Sequence, residues 1–151
     1  MELRLEGNFT PVAELIAALL ARDPDSRSRL ENINRLAKDC AAAFGLTPPQ
    51  AEALLLASVL RDVGKIAIPD HVLRKVGPRT PAEYELVKRH ATIGAMLVEN
   101  IPGFEAVAEA IRHHHERFDG SGYPAGLTGR AIPLIARLLA LLDSFSALTC
   151  D

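Results

Sequence analysis

The side chains best suited to chemistry in this sequence are histidines and aspartates that stand in apolar surroundings. Asp62 follows an apolar stretch, a three-histidine run begins at His113, and Asp143 interrupts a row of leucines and alanines. Burying an unpaired carboxylate is costly, and neighbouring helical side chains point about 100° apart, so at least one histidine of the run must face inward. Imidazole and carboxylate groups are the ligands that Fe, Mn, Ni or Zn accept. One cation would satisfy five of these side chains together: Asp62, His90, His114, His115 and Asp143.

Each of these residues also has an ordinary structural interpretation. Asp62 and Lys65, three residues apart, are typical of an ion pair at a helix end. His90, on the inner side of an apolar stripe, is by itself typical of a core histidine whose hydrogen bonds are satisfied. His71 and His113 are expected to face solvent. The spacing alone leaves both interpretations open, a metal centre and a structural core.

Start and stop signals in the sequence predict the helices that must position these side chains. A proline follows a capping threonine at Thr10, Thr47 and Thr80, and apolar residues then recur at three-and-four spacing. The segment 66–70 is predicted to be an irregular or extended connection, and 119–129, with four glycines and a proline, to be a loop. The predicted helices cover residues 10–22, 30–44, 48–63, 81–97, 104–117 and 133–148.

The composition restricts the fold class and the kinds of partner. Of 151 residues, 48% are apolar, supplied mainly by Ala and Leu, and Trp is absent, which favours helices and excludes an all-β fold. The net charge of −2 argues against nucleic-acid binding. No apolar stretch reaches the length of a membrane span, and the first residues lack the order of a signal peptide. We expect an all-α, single-domain, cytoplasmic protein without nucleic-acid or membrane partners, in which Cys40 and Cys150 are free thiols.

Four segments of the sequence together resemble the HD-GYP branch of the HD phosphohydrolases. They are Arg61 to Ile66, His90, His114 to Pro124, and Asp143 to Thr149. The resemblance begins near residue 21 and is most specific in the third segment, where eleven consecutive residues follow the signature. It implies an HD-type helical bundle with a Gly-rich GYP loop, and metal-dependent hydrolysis of cyclic di-GMP to linear pGpG or GMP. It also implies protein contacts, including diguanylate cyclase domains, through the loop residues Gly120, Gly122, Tyr123 and Pro124.

The resemblance implies roles for individual residues. Asp62 matches the family's bridging aspartate, and Lys65 matches the lysine near the scissile phosphate, so these two are the candidate catalytic residues. In trinuclear members an acidic ligand lies one helical turn before an early histidine, and Asp25 occupies that position here. The implied metal ligands are therefore Asp62, His90, His114, His115, Asp143 and Asp25.

Two arginines depart from the family's pattern. Arg61 stands where a histidine normally precedes Asp62, and Arg29 stands where the early ligand histidine falls. A guanidinium has no lone pair to donate, and its charge about 4 Å from a divalent ion repels that ion by several kcal/mol at an effective dielectric near 20. We therefore expect the first metal position to be empty and the second to hold one divalent transition metal ion. Alternatively, the arginines pair with Asp62 and Asp143 and replace the metal charge outright.

The loss of one ion predicts a weaker enzyme, because hydrolysis in the resembled family uses a water that bridges two ions. A loss of about 4 kcal/mol in transition-state stabilisation slows a reaction roughly a thousandfold. We therefore interpret the chain as a degenerate member that binds a nucleotide or a protein and has weak or no phosphodiesterase activity. Arg29, Arg61 and Lys65 would then surround the ligand's phosphates. Two alternatives stay open: an active phosphodiesterase for cyclic di-GMP or another phosphoester with a shifted or mononuclear metal site, and a purely structural domain.

The chain is expected to contain two parts. Residues 1–24 form an N-terminal helix that either packs on the core or pairs with a second copy in a homodimer. Residues 25–151 form the HD-GYP domain, which is incomplete at its C-terminus relative to the family, because a basic segment and a further helix usually follow.

Overall fold

The computed structural model describes residues 10–22 and 26–149, with side chains described for 11–21 and 32–149. These residues form helices, with no strand among them, so the prediction of an all-α fold is confirmed. Two 3₁₀ helices, Val63–Ala67 and Gly129–Ala131, lie in the connections. In the described part of the chain, no helix combines the length and apolar character needed to cross a bilayer. The α-helices are α1 (Thr10–Arg22), α2 (Ser26–Ala43), α3 (Pro48–Leu60), α4 (Asp70–Leu73), α5 (Pro81–Val98), α6 (Glu105–His113) and α7 (Leu134–Thr149).

The core forms where α3 packs against α2, α6 and α7, and where α5 packs against α6. Leu54 and Leu60 of α3 are completely buried there, together with Ile111 of α6. Helix α1 also packs on this core, because its side chains Val12 and Leu19 are buried and it contacts α2 and the first 3₁₀ helix. The division into residues 1–24 and 25–151, and pairing of the N-terminal helix with a second copy, stay predictions.

Two connections differ from the sequence-based prediction. The predicted irregular segment 66–70 begins inside a 3₁₀ helix, Val63–Ala67, in which the Lys65 N–H donates to the carbonyl of Asp62, and the third helix ends at Leu60 rather than at residue 63. Gly64 in this helix lies so close to α5 that a Cβ there would overlap the His90 carbonyl. Helix α6 ends at His113 instead of continuing to residue 117, because the next residues turn to meet the Gly-rich loop.

Helix α5, which carries His90, begins with the predicted capping box. The Thr80 hydroxyl accepts from the Glu83 N–H, and the Glu83 carboxylate accepts from the Thr80 N–H at 2.7 Å. A hydrogen bond from Lys75 and one from the Thr80 N–H lower the pKa of Glu83 from 4.5 to about 2. The start of α5 therefore depends on a glutamate that stays ionised in mild acid.

The capping box makes stability depend on pH in a defined direction. Because the pKa of Glu83 is lowered by folding, its contribution is complete above pH 4.5 and is lost as the pH falls towards 2. We expect Glu83→Gln to be less stable than the wild type at pH 6, and the difference to shrink at pH 3. Urea unfolding at both pH values measures this. A difference that stays constant or grows in acid would contradict the role assigned to Glu83.

Candidate metal centre and its buried arginine

Three histidines from α5 and the end of α6 lie together beneath the Gly-rich loop. His90 comes from the middle of α5, and His114 and His115 follow directly after α6. One ring nitrogen of each lies within 4.8 Å of a ring nitrogen of the others, and the Nε2 atoms of His90 and His115 are 3.1 Å apart. The sequence-predicted histidines are therefore brought together by the fold.

Two of the three rings are oriented by backbone carbonyls. The Nδ1 atoms of His90 and His114 each lie 2.7 Å from a carbonyl oxygen, of Val87 and Ile111 respectively. Because a carbonyl can only accept, each Nδ1 carries the proton and each Nε2 keeps its lone pair. The Nε2 of His114 is buried and has no partner among the described residues, which is costly unless a ligand occupies it. This donor set fits a divalent transition metal ion.

The protonation of the three histidines also favours metal binding. Burial lowers the pKa of His90, and it lowers the pKa of His114 to about 3, where the neighbouring His115 adds repulsion. Burial, with repulsion from His90, lowers the pKa of His115 to about 4. A metal ion binds the neutral imidazole, so the histidines need not lose a proton near pH 7 to ligate.

The two aspartates predicted as metal ligands, Asp62 and Asp143, contact the buried Arg61. The Arg61 side chain is only 5% exposed, and its Nε donates to Asp143 Oδ1 at 2.7 Å. Its Nη2 lies 3.6 Å from Asp62 Oδ2, and its Nη1 donates to the carbonyl of Ser58 at 2.8 Å. Neither aspartate joins the three histidines within ligand distance. This is the pairing that the sequence left open as an alternative to a metal ion at that position.

Asp62 is held by a second cation as well. The Nζ of Lys65 lies 2.7 Å from Asp62 Oδ1. Burial alone would raise the pKa of Asp62, but the charges of Lys65 and Arg61 outweigh it and hold the pKa well below its ordinary value. The ion pair expected from the sequence is present, and it lies beside the histidine cluster.

An open pocket of about 280 Å³ is lined by His90 and His115 of the cluster together with both aspartates. A second pocket of about 420 Å³ adjoins it and is lined by His114 and His115. The predicted phosphate-binding residues Arg61 and Lys65 line the first pocket. The side chains of Asp25 and Arg29, predicted as a ligand and as a phosphate contact, lie outside the described residues. The other residues lining the first pocket are Asp62, Val87, His90, His115, Tyr123, Asp143, Ser146 and Ala147.

The Gly-rich loop lies against the histidines. Tyr123 stacks on His115 with ring centroids 4.9 Å apart and an interplanar angle of 26°, and its N–H donates to the His115 carbonyl. Gly122 lies so close to the backbone of residues 115–117 that a side chain would not fit. The loop therefore forms one wall of the candidate site, and contacts with a protein partner through Gly120 and Pro124 stay a prediction.

Sequence reasoning missed Glu116, which follows the histidine run. Its side chain has no exposed surface, and its oxygens accept from the N–H groups of Ala125 at 2.7 Å and Leu127 at 3.0 Å. The expectation that His113 faces solvent is wrong, because its ring is only 15% exposed and contacts Glu116 at 3.4 Å. His71 is exposed, as predicted. The signal available in the sequence was the position of Glu116, an acidic residue directly after the three histidines.

Comparison with known proteins identifies a matching family model and several relatives. A family model described as HD domain matches residues 13–151. The cyclic di-GMP phosphodiesterase response regulator of Xanthomonas campestris pv. campestris is 42% identical over 98% of this chain. A cyclic di-GMP phosphodiesterase of Thermotoga maritima is 40% identical over 84% of the chain, and 3'3'-cGAMP-specific phosphodiesterase 1 of Vibrio cholerae is 37% identical over 89%.

The chain covers 42%, 35% and 32% of the lengths of these three relatives, respectively. The match to the family model, by contrast, extends over most of the present chain and includes all three clustered histidines. Three features of the structure agree with the match to the family model: the helical fold, the histidine cluster and the loop from His114 to Pro124. The chain therefore belongs to the HD domain family, in its HD-GYP branch.

Proposed function

We propose that this domain binds a cyclic dinucleotide beside a mononuclear three-histidine metal centre and hydrolyses it slowly or not at all. The observation that carries the proposal is the position of Arg61, which contacts both Asp62 and Asp143. To bind these carboxylates, a second metal ion would have to break their ion pairs with Arg61, whose buried guanidinium has few other partners. Removing one member of a buried ion pair costs several kcal/mol, so the exchange is unfavourable.

We therefore propose that the positive charge of Arg61 takes the place of the first metal ion. The second position would be held by His90, His114 and His115, whose ring nitrogens lie within 4.8 Å of one another. When bound there, an ion such as Fe, Mn, Ni or Zn supplies Lewis-acid polarisation of a phosphoryl oxygen or of a water molecule. Asp62 is a weak general base in this setting, because a carboxylate with a strongly lowered pKa accepts a proton poorly near pH 7.

The proposed class of ligand is supported by the relatives and by side chains that line the two pockets. Those relatives are cyclic di-GMP and 3'3'-cGAMP phosphodiesterases, and we extend only the ligand class, a cyclic dinucleotide, to this chain. Lys65, whose side chain is 25% exposed, places a cation at the pocket and can contact a phosphate. Arg61 also lines the pocket, but its guanidinium is buried and already paired with Asp62 and Asp143, so the phosphate contact predicted for it would need that pairing to change. The adjoining pocket, lined by Tyr84, Lys88 and Tyr123, offers aromatic surface for a base.

One alternative function has an observation in its favour. The cluster of three imidazoles matches the number of protein ligands in catalytic mononuclear zinc sites, where the fourth position is left to water. A phosphodiesterase with a single ion is therefore the second candidate, and its substrate is a cyclic dinucleotide or another phosphoester. The loop also keeps its proposed role as a contact for diguanylate cyclase-type proteins, and a cytoplasmic location stays a proposal.

Metal content and ligand binding, measured on the same purified protein, test the proposal. After loading with Fe(II) or Mn(II) under reducing conditions, we expect about one ion per chain, binding of cyclic di-GMP by calorimetry, and little release of pGpG or GMP. Lys65→Ala should weaken binding about tenfold, as expected for loss of a charged phosphate contact. The exposed Lys38→Ala on α2 serves as the control.

Two results would overturn the proposal in different ways. Close to two ions per chain with rapid hydrolysis would establish an active two-metal enzyme. Absence of any binding or thermal stabilisation by cyclic di-GMP would instead favour a structural domain.

A further inference from the structure

The third histidine of the cluster is oriented differently from the other two. His90 and His114 are each held by a backbone carbonyl, whereas His115 has no such carbonyl partner among the described residues. Its ring lies between the His114 ring, with centroids 3.9 Å apart, and the Tyr123 ring, with centroids 4.9 Å apart. The orientation of the His115 ring therefore depends on its contact with the His90 Nε2 at 3.1 Å and on ring stacking, and Tyr123 provides the outer face of that stack.

Tyr123 in turn depends on how its loop is attached. The carboxylate of Glu116 accepts from the N–H groups of Ala125 and Leu127, two and four residues after Tyr123. Each of its oxygens takes one of these bonds, at 2.7 and 3.0 Å, and the side chain is completely buried. No lysine or arginine among the described residues forms an ion pair with it. The two short hydrogen bonds of Glu116 therefore go to the loop, and the His113 Nδ1 lies farther away, at 3.4 Å from Oε1.

The loop backbone also holds Tyr123 directly, since its N–H donates to the His115 carbonyl at 3.2 Å, whereas other hydrogen bonds of the loop lie nearer its ends. Asp119 accepts from the Ser121 N–H at 2.9 Å, and Gly129 donates to the Phe118 carbonyl at 2.9 Å. These bonds shape the two ends of the loop. Glu116 is the side chain that ties the middle of the loop, just after Tyr123, to the chain segment carrying the histidines.

We propose that Glu116 is a positioning residue of the histidine centre, which holds Tyr123 against His115 and thereby directs the third imidazole. This inference rests on the proposed metal-binding function. Outer residues that orient a metal ligand typically change metal affinity by about 10–100-fold when they are replaced. Displacement of the loop would consequently reach the metal centre through His115.

Cobalt binding to the full chain tests the proposal, with Co(II) alone as the probe. Glu116→Gln keeps the shape of the side chain but turns an NH₂ group towards one of the two loop amides. We expect about tenfold weaker Co(II) binding and a changed visible spectrum, because one of three nitrogen ligands becomes disordered. Glu83→Gln is the matched control, because its carboxylate also accepts a backbone N–H but lies at the start of α5. The control should lose stability and keep the wild-type cobalt spectrum.

A double-mutant cycle separates positioning from general destabilisation. If Glu116 acts through Tyr123, Tyr123→Ala alone should weaken Co(II) binding by a similar factor, and the double variant should be no weaker than either single one. Tyr123→Phe keeps the ring and should bind Co(II) like the wild type. Additive losses in the double variant would overturn the inference. Should Glu116→Gln fail to fold, equal affinities of the Tyr123→Ala and Tyr123→Phe variants would overturn it as well.

A readout without metal distinguishes this inference from the proposed function. In a Tyr84→Phe background, Tyr123 is the only tyrosine, and Glu116→Gln should change its fluorescence as the ring leaves the His115 stack. A wild type that binds no Co(II) would overturn the proposed metal centre, and this fluorescence would still show whether Glu116 holds Tyr123. A wild type that binds Co(II), with an unchanged Glu116→Gln spectrum, would overturn only the positioning role.

Discussion

Replacing Arg29 and Arg61 together by histidine is expected to raise the bound metal from about one ion per chain towards two, and to speed cyclic di-GMP hydrolysis by up to about a thousandfold. The reason lies in the contacts of Arg61. Its guanidinium lies 2.7 Å from Asp143 and 3.6 Å from Asp62, so its removal frees both carboxylates for a metal ion. A histidine in its place adds a neutral donor where a fixed positive charge stood.

The expected size of this effect comes from the chemistry of two-metal hydrolysis. A second ion helps to activate the bridging water and to stabilise the charge that develops on the leaving oxygen. A gain of about 4 kcal/mol in transition-state stabilisation corresponds to about a thousandfold in rate. Metal content by elemental analysis and product formation by chromatography measure the two parts of the prediction separately.

The matched control is Arg35→His with Arg130→His, because both arginines are exposed and neither lines the pocket. This control adds two histidines without freeing a carboxylate, and its metal content should stay at the wild-type level. The single variant Arg61→His should show part of the gain. Unchanged metal content in the Arg29 and Arg61 double variant would mean that these arginines do not exclude an ion.

Replacing His114 by alanine is expected to weaken metal binding about a hundredfold. A four-ligand structural zinc site binds with about 10–16 kcal/mol, or about 3 kcal/mol for each ligand. Because every 1.4 kcal/mol is tenfold, one lost ligand corresponds to about two orders of magnitude. His114 is suited to this test, since its buried Nε2 has no other partner among the described residues.

Calorimetric titration with Zn(II) or Co(II) measures the loss, and thermal unfolding of the metal-free variant verifies that it is folded. His71→Ala is the control, since His71 is exposed and lies outside the cluster. His115→Ala, at a less buried position, should give a loss of similar size. Equal affinity of the His114→Ala variant and the wild type would remove the metal centre from the proposal.

The helical fold was accessible from the sequence because its signals are local. The capping boxes at Thr47 and Thr80, with prolines in the first turn, define where α3 and α5 begin, and the structure has both. The end of α6 was predicted four residues too late, at Arg117 instead of His113. The helix ends there because the loop packs on residues 115–117, and the helical periodicity of the sequence carries no information about this packing.

The candidate ligands were likewise accessible as residue types, but their grouping was not. Five side chains were predicted around one cation, and the structure places the three histidines within ligand distance while the two aspartates face Arg61. The sequence allowed Arg61 either to repel a metal ion or to replace its charge. Only the distance to Asp143, 82 residues away along the chain, favours replacement.

The sequence by itself therefore determined most of the helices and the histidines capable of binding metal, because helix signals and ligand chemistry depend on residue type and short spacing. The HD-GYP branch was accessible through the resemblance of four sequence segments to that family. The tertiary structure decided which carboxylate pairs with which cation, and that Glu116 attaches the loop to the histidine centre. These are choices between competing partners of similar chemistry. They depend on distances of a few ångströms between residues far apart in the chain, where the strength of an ion pair or hydrogen bond falls steeply with separation.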